Sequence, residues 1–201
     1  MFMGRTSDAK GRLIETALQL IWEESYRAVG VSEICKKAGV KPGSFYYFFP
    51  SKEDLALAAL EYHWQEAQQM ILDSSFADEI PPLERITRLF QAVYAFHAAR
   101  QKKKQRVLGC AFGSFVGELG EEDEALRTKL AEILAGIRAY FEKALKQAAA
   151  AGKLGIKPKE APARAQALVA FYEGVLLLAR AQNDAEIIRH LTPHALKLAG
   201  A

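Results

Sequence analysis

The stretch from Val31 to Lys52, VSEICKKAGVKPGSFYYFFPSK, constrains this chain more than any other. Val31, Ile34, Cys35 and Ala38 recur at helical spacing and define one apolar face. Gly39 follows them as the residue that enters the left-handed region without steric cost and so ends a helix. Pro42 is suited to open the next helix, because the N–H it lacks would have no partner there. Two short helices joined by a tight glycine turn make a helix-turn-helix, a unit whose second helix fits the DNA major groove. Phe45 and Phe49 stand four apart and face inward with Ile34. Ser44, Tyr46 and Tyr47 point elsewhere. Their hydroxyls can donate to phosphate oxygens, and tyrosine rings can pack on thymine methyls. The bland alternative for Tyr46 is a core aromatic with a polar tip. Lys41 and Lys52 open helices and are placed for phosphate contacts.

Charge agrees with that reading. From Met1 to Lys52 eight basic residues (Arg5, Lys10, Arg12, Arg27, Lys36, Lys37, Lys41, Lys52) face five acidic ones (Asp8, Glu15, Glu23, Glu24, Glu33), which accounts for the whole net charge of +3. The positive excess therefore lies on the expected reader. The chain is 50% hydrophobic, enough for a sizeable core, and rich in helix formers, so an all-α fold is expected. No apolar run approaches the roughly 18 residues of a membrane span; the longest candidate, Gly174 to Ala179, is far shorter. No secretory signal is visible, and Cys35 and Cys110 form no disulfide framework and no CxxC pair. Those features suit a reducing cytoplasm.

Periodicity lays out the remaining helices. Leu13, Ile14, Ala17, Leu18 and Ile21 mark a helix over Asp8 to Glu24, with Ser7 as N-cap. Ser51 caps a helix that runs from Lys52 to about Leu72. Pro81 and Pro82 start another, striped by Leu83, Ile86, Leu89, Phe90, Val93, Tyr94 and His97 and closed by the basic run Arg100 to Arg106. Leu108 to Leu119 reads as a short, bent or closely packed helix, and Glu121 to Glu124 as an acidic start. Leu126 to Leu145 carries a long stripe stopped at Gly152. After a loop over Lys153 to Lys159, two last helices cover Glu160 to Ala181 and Asp184 to Ala199. Two domains result: residues 1–51 as a three-helix DNA-binding reader, and residues 52–201 as a helical ligand-binding and dimerisation body. A helix, not a flexible linker, joins them.

The run EICKKAGVKPGSFYYFFPSKEDL resembles the DNA-binding domain of TetR-type transcriptional repressors, most strongly from Arg12 to Leu60. The resemblance implies DNA contacts at Ser32, Lys41, Ser44, Tyr46, Tyr47 and Lys52. It also implies a homodimer paired through the last two helices, whose two N-terminal readers engage a palindromic operator, and release by a small-molecule effector. The nearly all-apolar stretch Ala167 to Ala179 fits burial on two sides, one of them against a partner. A two-fold protein also suits a palindrome. Ser25 stands where the family often has glycine, Gly30 where it has a threonine or serine cap, and Phe48 where it has histidine or tyrosine. Arg5 and Thr6, ahead of the first helix, are candidates either for a short arm along the DNA backbone or minor groove or for a disordered terminus.

In the body, Trp64, Phe90, Tyr94, Phe115 and Tyr140 are candidates to line a pocket for an apolar or aromatic effector, with core packing as the default for most. His97 and Glu173 interrupt apolar stretches and can bond a ligand or a neighbouring hydroxyl. Cys110 lies in LGCAFGSF, which resembles a segment of a subgroup of these repressors whose matching cysteine senses electrophiles. A thiol-based electrophile- or redox-sensing repressor is therefore the alternative trigger. It requires an exposed thiol of lowered pKa, which nearby Lys104 and Arg106 can supply; the default for Cys110 is a buried cysteine acting as a small apolar residue, and Cys35, on the core face of the second helix, is structural. His190 and His194 have metal spacing, but Thr192-Pro193 disturbs that turn and no third ligand is evident, so no zinc site is expected. No nucleophile–base pair, HExxH or phosphate loop points to an enzyme, and no cofactor is implied. Operator DNA, an effector and a second copy of the chain are the expected partners, in the cytoplasm at the nucleoid.

Overall fold

The computed structural model describes the backbone of residues 4–120 and 123–200 and the side chains of residues 8–120 and 123–200. Helices joined by turns and loops make up the described residues, which contain no strand. In chain order the helices are α1 (Gly4–Glu23), α2 (Val31–Ala38), α3 (Pro42–Phe48), α4 (Lys52–Ala67), α5 (Pro82–Lys104), α6 (Ala111–Val116), α7 (Glu124–Ala150), α8 (Ala161–Gln182) and α9 (Glu186–Ala199). α1 begins at Gly4, ahead of the expected Asp8, so Arg5 and Thr6 have helical backbone; their side chains, like that of Ser7, lie outside those described. Two residues of the expected acidic start, 121 and 122, also lie outside the described ones. No helix among the described residues is long and apolar enough to cross a membrane.

Two compact units divide the chain. The first comprises Met1–Gln65 with Ser114–Ala131, and the second Glu66–Gly113 with Glu132–Ala201. In the first, α1 buries Leu13, Ala17, Leu18, Leu20 and Ile21, and α2 buries Ile34, Cys35 and Ala38. Gly39 takes φ +64 and its N–H bonds back into α2, while Arg12 Nε donates to the Ala38 carbonyl at 3.0 Å and fixes the end of α2 on α1. Phe45 is fully buried and Phe49 nearly so, and Leu55, Ala56, Ala59 and Leu60 of α4 complete the core. Ser51 caps α4 as expected: it accepts the Asp54 N–H at 3.1 Å and donates its hydroxyl to the Asp54 carboxylate at 2.6 Å.

In the second unit α4 does not simply run on to Leu72. It passes into a π-helical turn over Gln68–Leu72 and regains one α turn at Asp73–Ser75. The Tyr140 hydroxyl donates to Asp73 beside that turn. Buried Arg85 clamps the start of α5, with Nε donating to the Ile80 carbonyl at 2.7 Å and the guanidinium reaching Asp78 O at 2.9 Å and Gln147 Oε1 at 2.7 Å. α9 packs on both α5 and α8. At the α8–α9 turn Asn183 adopts φ 50, accepts the Val107 N–H at 2.8 Å and donates to the Gln105 carbonyl at 3.0 Å. Asparagine enters the left-handed region more readily than most residues, and here its amide is held by both of those bonds.

Candidate functional site

The reader is built by alternation on α3. Phe45 anchors the helix in the core, and the next two residues are turned out: Tyr46 is 63% exposed and Tyr47 77%. Such exposure excludes the core-aromatic alternative for Tyr46. Neither ring is loose, because Tyr46 meets Phe45 edge-on at 5.1 Å and Tyr47 meets Phe48 edge-on at 5.0 Å. Edge-to-face contacts of this kind hold a ring at low entropic cost. Ser44, Lys41 and Ser32 are also exposed, as is Lys36 on α2. Hydroxyls and ammonium groups thus stand outward on α3 and at the starts of α2 and α3.

Not every basic residue is equally available. Lys37 is spent on Glu24 and Glu33, each at 3.3 Å. Lys52 lies with its ammonium 4.5 Å from the centre of the Tyr26 ring, and burial pulls its pKa down. The neighbouring Arg27 joins α1's exit to residues before α7: its Nε donates to the Glu118 carbonyl at 2.9 Å and its guanidinium pairs with Asp123 at 3.2 Å. Tyr26 also packs on Phe115 at 5.8 Å. The roles of Tyr26 and Arg27 carry no sequence signal, because their partners are far along the chain.

The candidate effector residues do not form one cluster. Phe115 is fully buried in the first unit, and Trp64 lies there too, on α4. Tyr94 donates to Glu186 at 2.5 Å, toward α9, and Tyr140 is engaged with Asp73 and Phe76. Phe90 meets Phe171 at 6.2 Å and Tyr172 at 5.8 Å. His97 is only 3% exposed; burial, with the Arg100 charge, pushes its pKa down to about 4, and its Nδ1 has no hydrogen-bond partner.

Cys110 and Glu173 are brought together. The thiol hydrogen-bonds the carboxyl, and the sulfur also receives the backbone N–H groups of Phe112 and Gly113. Burial pushes the Cys110 pKa well up, with Glu173 adding to it, whereas the exposed Lys104 and Arg106 have no part in the shift. The thiol thus has the raised pKa of a buried cysteine, not the lowered one that the sensing alternative requires. Burial also raises the Glu173 pKa, and Glu173 Oε1 is buried without a partner. No group of three or more metal-ligating side chains occurs among the described residues, and His190 and His194 are both exposed.

The sequence model of "Bacterial regulatory proteins, tetR family" matches residues 13–59, which are the helices just described. That of "Tetracyclin repressor-like, C-terminal domain" matches residues 82–195. The chain belongs to the tetR family. It is similar to the transcriptional regulator AcuR of Cereibacter sphaeroides, 32% identical over 173 residues, covering 84% of this chain and 74% of that one. It is also similar to the HTH-type transcriptional repressor NemR of Escherichia coli K12, 27% identical over 141 residues, 69% of this chain and 67% of that one. Among solved structures, the regulatory protein TetR from Rhodobacter sphaeroides aligns with a TM-score of 0.83 and 27% identity over 94% of this chain and 98% of that one. As a tetR-family member the chain is a DNA-binding transcriptional regulator, with α2 and α3 as its helix-turn-helix.

Proposed function

We propose that the chain is a homodimeric repressor, acting in the cytoplasm at the nucleoid, that leaves a palindromic operator when a small apolar or aromatic effector binds its helical body. The observation that carries the reading is the outward set on and beside α3: Ser44, Tyr46 and Tyr47 exposed around a fully buried Phe45. In this reading residues 1–51 read DNA through Ser32, Lys41, Ser44, Tyr46, Tyr47 and Lys52. Residues 52–201 bind the effector and pair with a second copy through α8 and α9. Lys52 then exchanges its place over the Tyr26 ring for a phosphate. The effector must favour the non-binding arrangement by roughly 1–3 kcal/mol, since a ligand with no preference shifts nothing.

Selection of duplexes from a random pool by the purified chain tests this. Palindromic winners are expected. Tyr47→Ala should then weaken binding by about 1–3 kcal/mol and relax preference at one position per half-site, while Lys41→Ala weakens all duplexes alike and lowers the salt slope by about 1. No enrichment, or indifference to both substitutions, removes the assignment.

A second trigger has one observation in its favour. The Cys110 sulfur receives two backbone N–H groups, which favour its thiolate. Against it stands the raised thiol pKa, which starves a thiol of its reactive thiolate. Non-covalent binding is therefore preferred. Release of operator by a quinone from the wild type, and its loss in Cys110→Ser, would reverse that order.

A further inference from the structure

Glu173 lies in the apolar stretch of α8 between Val169 and Val175, both buried. Its Oε1 is buried and has no hydrogen-bond partner, which is among the more costly states a carboxyl group can occupy. The group is not there by loose packing. Its Oε2 lies 2.5 Å from where a Cβ on Gly113 would stand, so only glycine at that position leaves room for it. The Cys110 thiol holds the same carboxyl by a hydrogen bond. Burial raises the proton affinity of Glu173 and that thiol lowers it; among the described residues no cationic side chain figures in the shift. Beside it on α8, Tyr172 and Phe171 turn their rings to Phe90 of α5.

A carboxyl fixed on two sides, lacking a cation, with one oxygen unanswered and aromatic rings in its neighbourhood, has a definite chemical complement. We propose that Glu173 recognises an organic ammonium ion, a protonated amine on an apolar or aromatic body, which donates an N–H to Oε1. This deepens, and rests on, the reading of the chain as an effector-responsive regulator. The ammonium group supplies both the missing hydrogen bond and the missing positive charge, and aromatic faces favour cations further. A hydroxyl on the same body supplies the bond without the charge. A carboxylate supplies neither and is repelled.

The test uses the full chain and three probes with one carbon frame: 2-phenylethylammonium, 2-phenylethanol and 3-phenylpropionate. Calorimetric titration is expected to rank them in that order, the ammonium binding at least about tenfold tighter than the alcohol and the carboxylate not measurably. Glu173→Gln, close in size, should cut ammonium affinity about tenfold or more and leave the alcohol nearly unchanged. Gly113→Ala, whose new Cβ must displace the carboxyl, should weaken the ammonium too. Equal binding of the three probes, no binding of the ammonium at millimolar concentration, or a preference that survives Glu173→Gln would each overturn the proposal. Binding of the wild type to its selected duplex, measured alongside without any probe, separates the two readings. Duplex binding without ammonium preference removes only the ammonium proposal, whereas failure to bind any duplex removes the repressor reading however the probes behave.

Discussion

Adjacent residues on α3 have opposite tasks, and a single substitution at each separates them. Phe45 is fully buried and meets both Tyr46 and Phe49. Phe45→Ala therefore leaves a cavity at the centre of the reader and should cost about 3–5 kcal/mol of stability. Tyr47 has a mostly solvated ring, and Tyr47→Ala should change stability by no more than about 0.5 kcal/mol. Urea unfolding of both variants checks the contrast; equal losses would mean that α3 does not divide core from contact in this way. Cys110 shows the same dependence on surroundings. Its sequence neighbours are basic, yet its proton affinity is set by burial and by Glu173 from a distant helix. Neighbours in sequence are a poor guide to the electrostatics of a buried group, because the nearest charges in space arrive through tertiary packing.

Helix ends are governed by local chemistry, and one of them is open to improvement. α2 begins at Gly30, which has extended backbone at φ −93, ψ 155, makes no side-chain cap and has nothing within 4 Å of a prospective Cβ. A serine there can accept an orphan N–H of the first turn and also restricts the unfolded chain. Gly30→Ser should therefore raise stability by about 0.5–1 kcal/mol, read as a shift of the denaturation midpoint with unchanged slope. No shift would mean that the hydroxyl finds no N–H. Local chemistry of this kind is what the sequence makes legible: the Gly39 stop, the Ser51 cap, the Pro82 start and the inward faces of α1 and α5 all follow from residues within a turn or two. The π turn at Gln68–Leu72 does not, because the tyrosine beside it, Tyr140, comes from α7. Nor does the seat of Lys52 over Tyr26, or the latch of Asn183 onto Gln105 and Val107. The candidate reader was therefore mostly readable in advance. The body's polar contacts, which join residues far apart in the chain, were not, and its aromatic candidates turned out to serve several different places.

At the scale of the molecule, two histidines, one buried and one half-buried, tie stability to acidity. His63 in the first unit and His97 in the second are both pushed down to about 4, chiefly by burial. Above the ordinary value near 6.5 they are neutral folded or unfolded and contribute nothing to the pH dependence. Between about 6.5 and 4 the unfolded chain takes up protons that the fold refuses, so stability falls as pH drops through that window and levels off below it. The loss is up to roughly 3 kcal/mol per group. Urea unfolding at pH 7, 5.5 and 4.5 should show it, and His97→Gln should flatten the slope; a slope unchanged by that variant would clear His97 of the effect. Oligomeric state supplies the other molecular-scale test. On α8, Leu177 is 67% exposed and Leu178 45%, although their neighbours Val175, Leu176 and Ala179 are buried. Ala163, Ala170 and Leu177 recur every seven residues, so one stripe of the helix presents small and apolar side chains to solvent. In a homodimer through α8 and α9 that stripe is covered. Leu177→Arg sets a charge in its middle and should weaken association by about 2 kcal/mol or more, roughly thirtyfold. Analytical ultracentrifugation across a dilution series reads the shift directly. Because a single reader engages only half of a palindrome, operator affinity should fall in step with dimer content. An unaltered dimer in Leu177→Arg would move the interface away from α8.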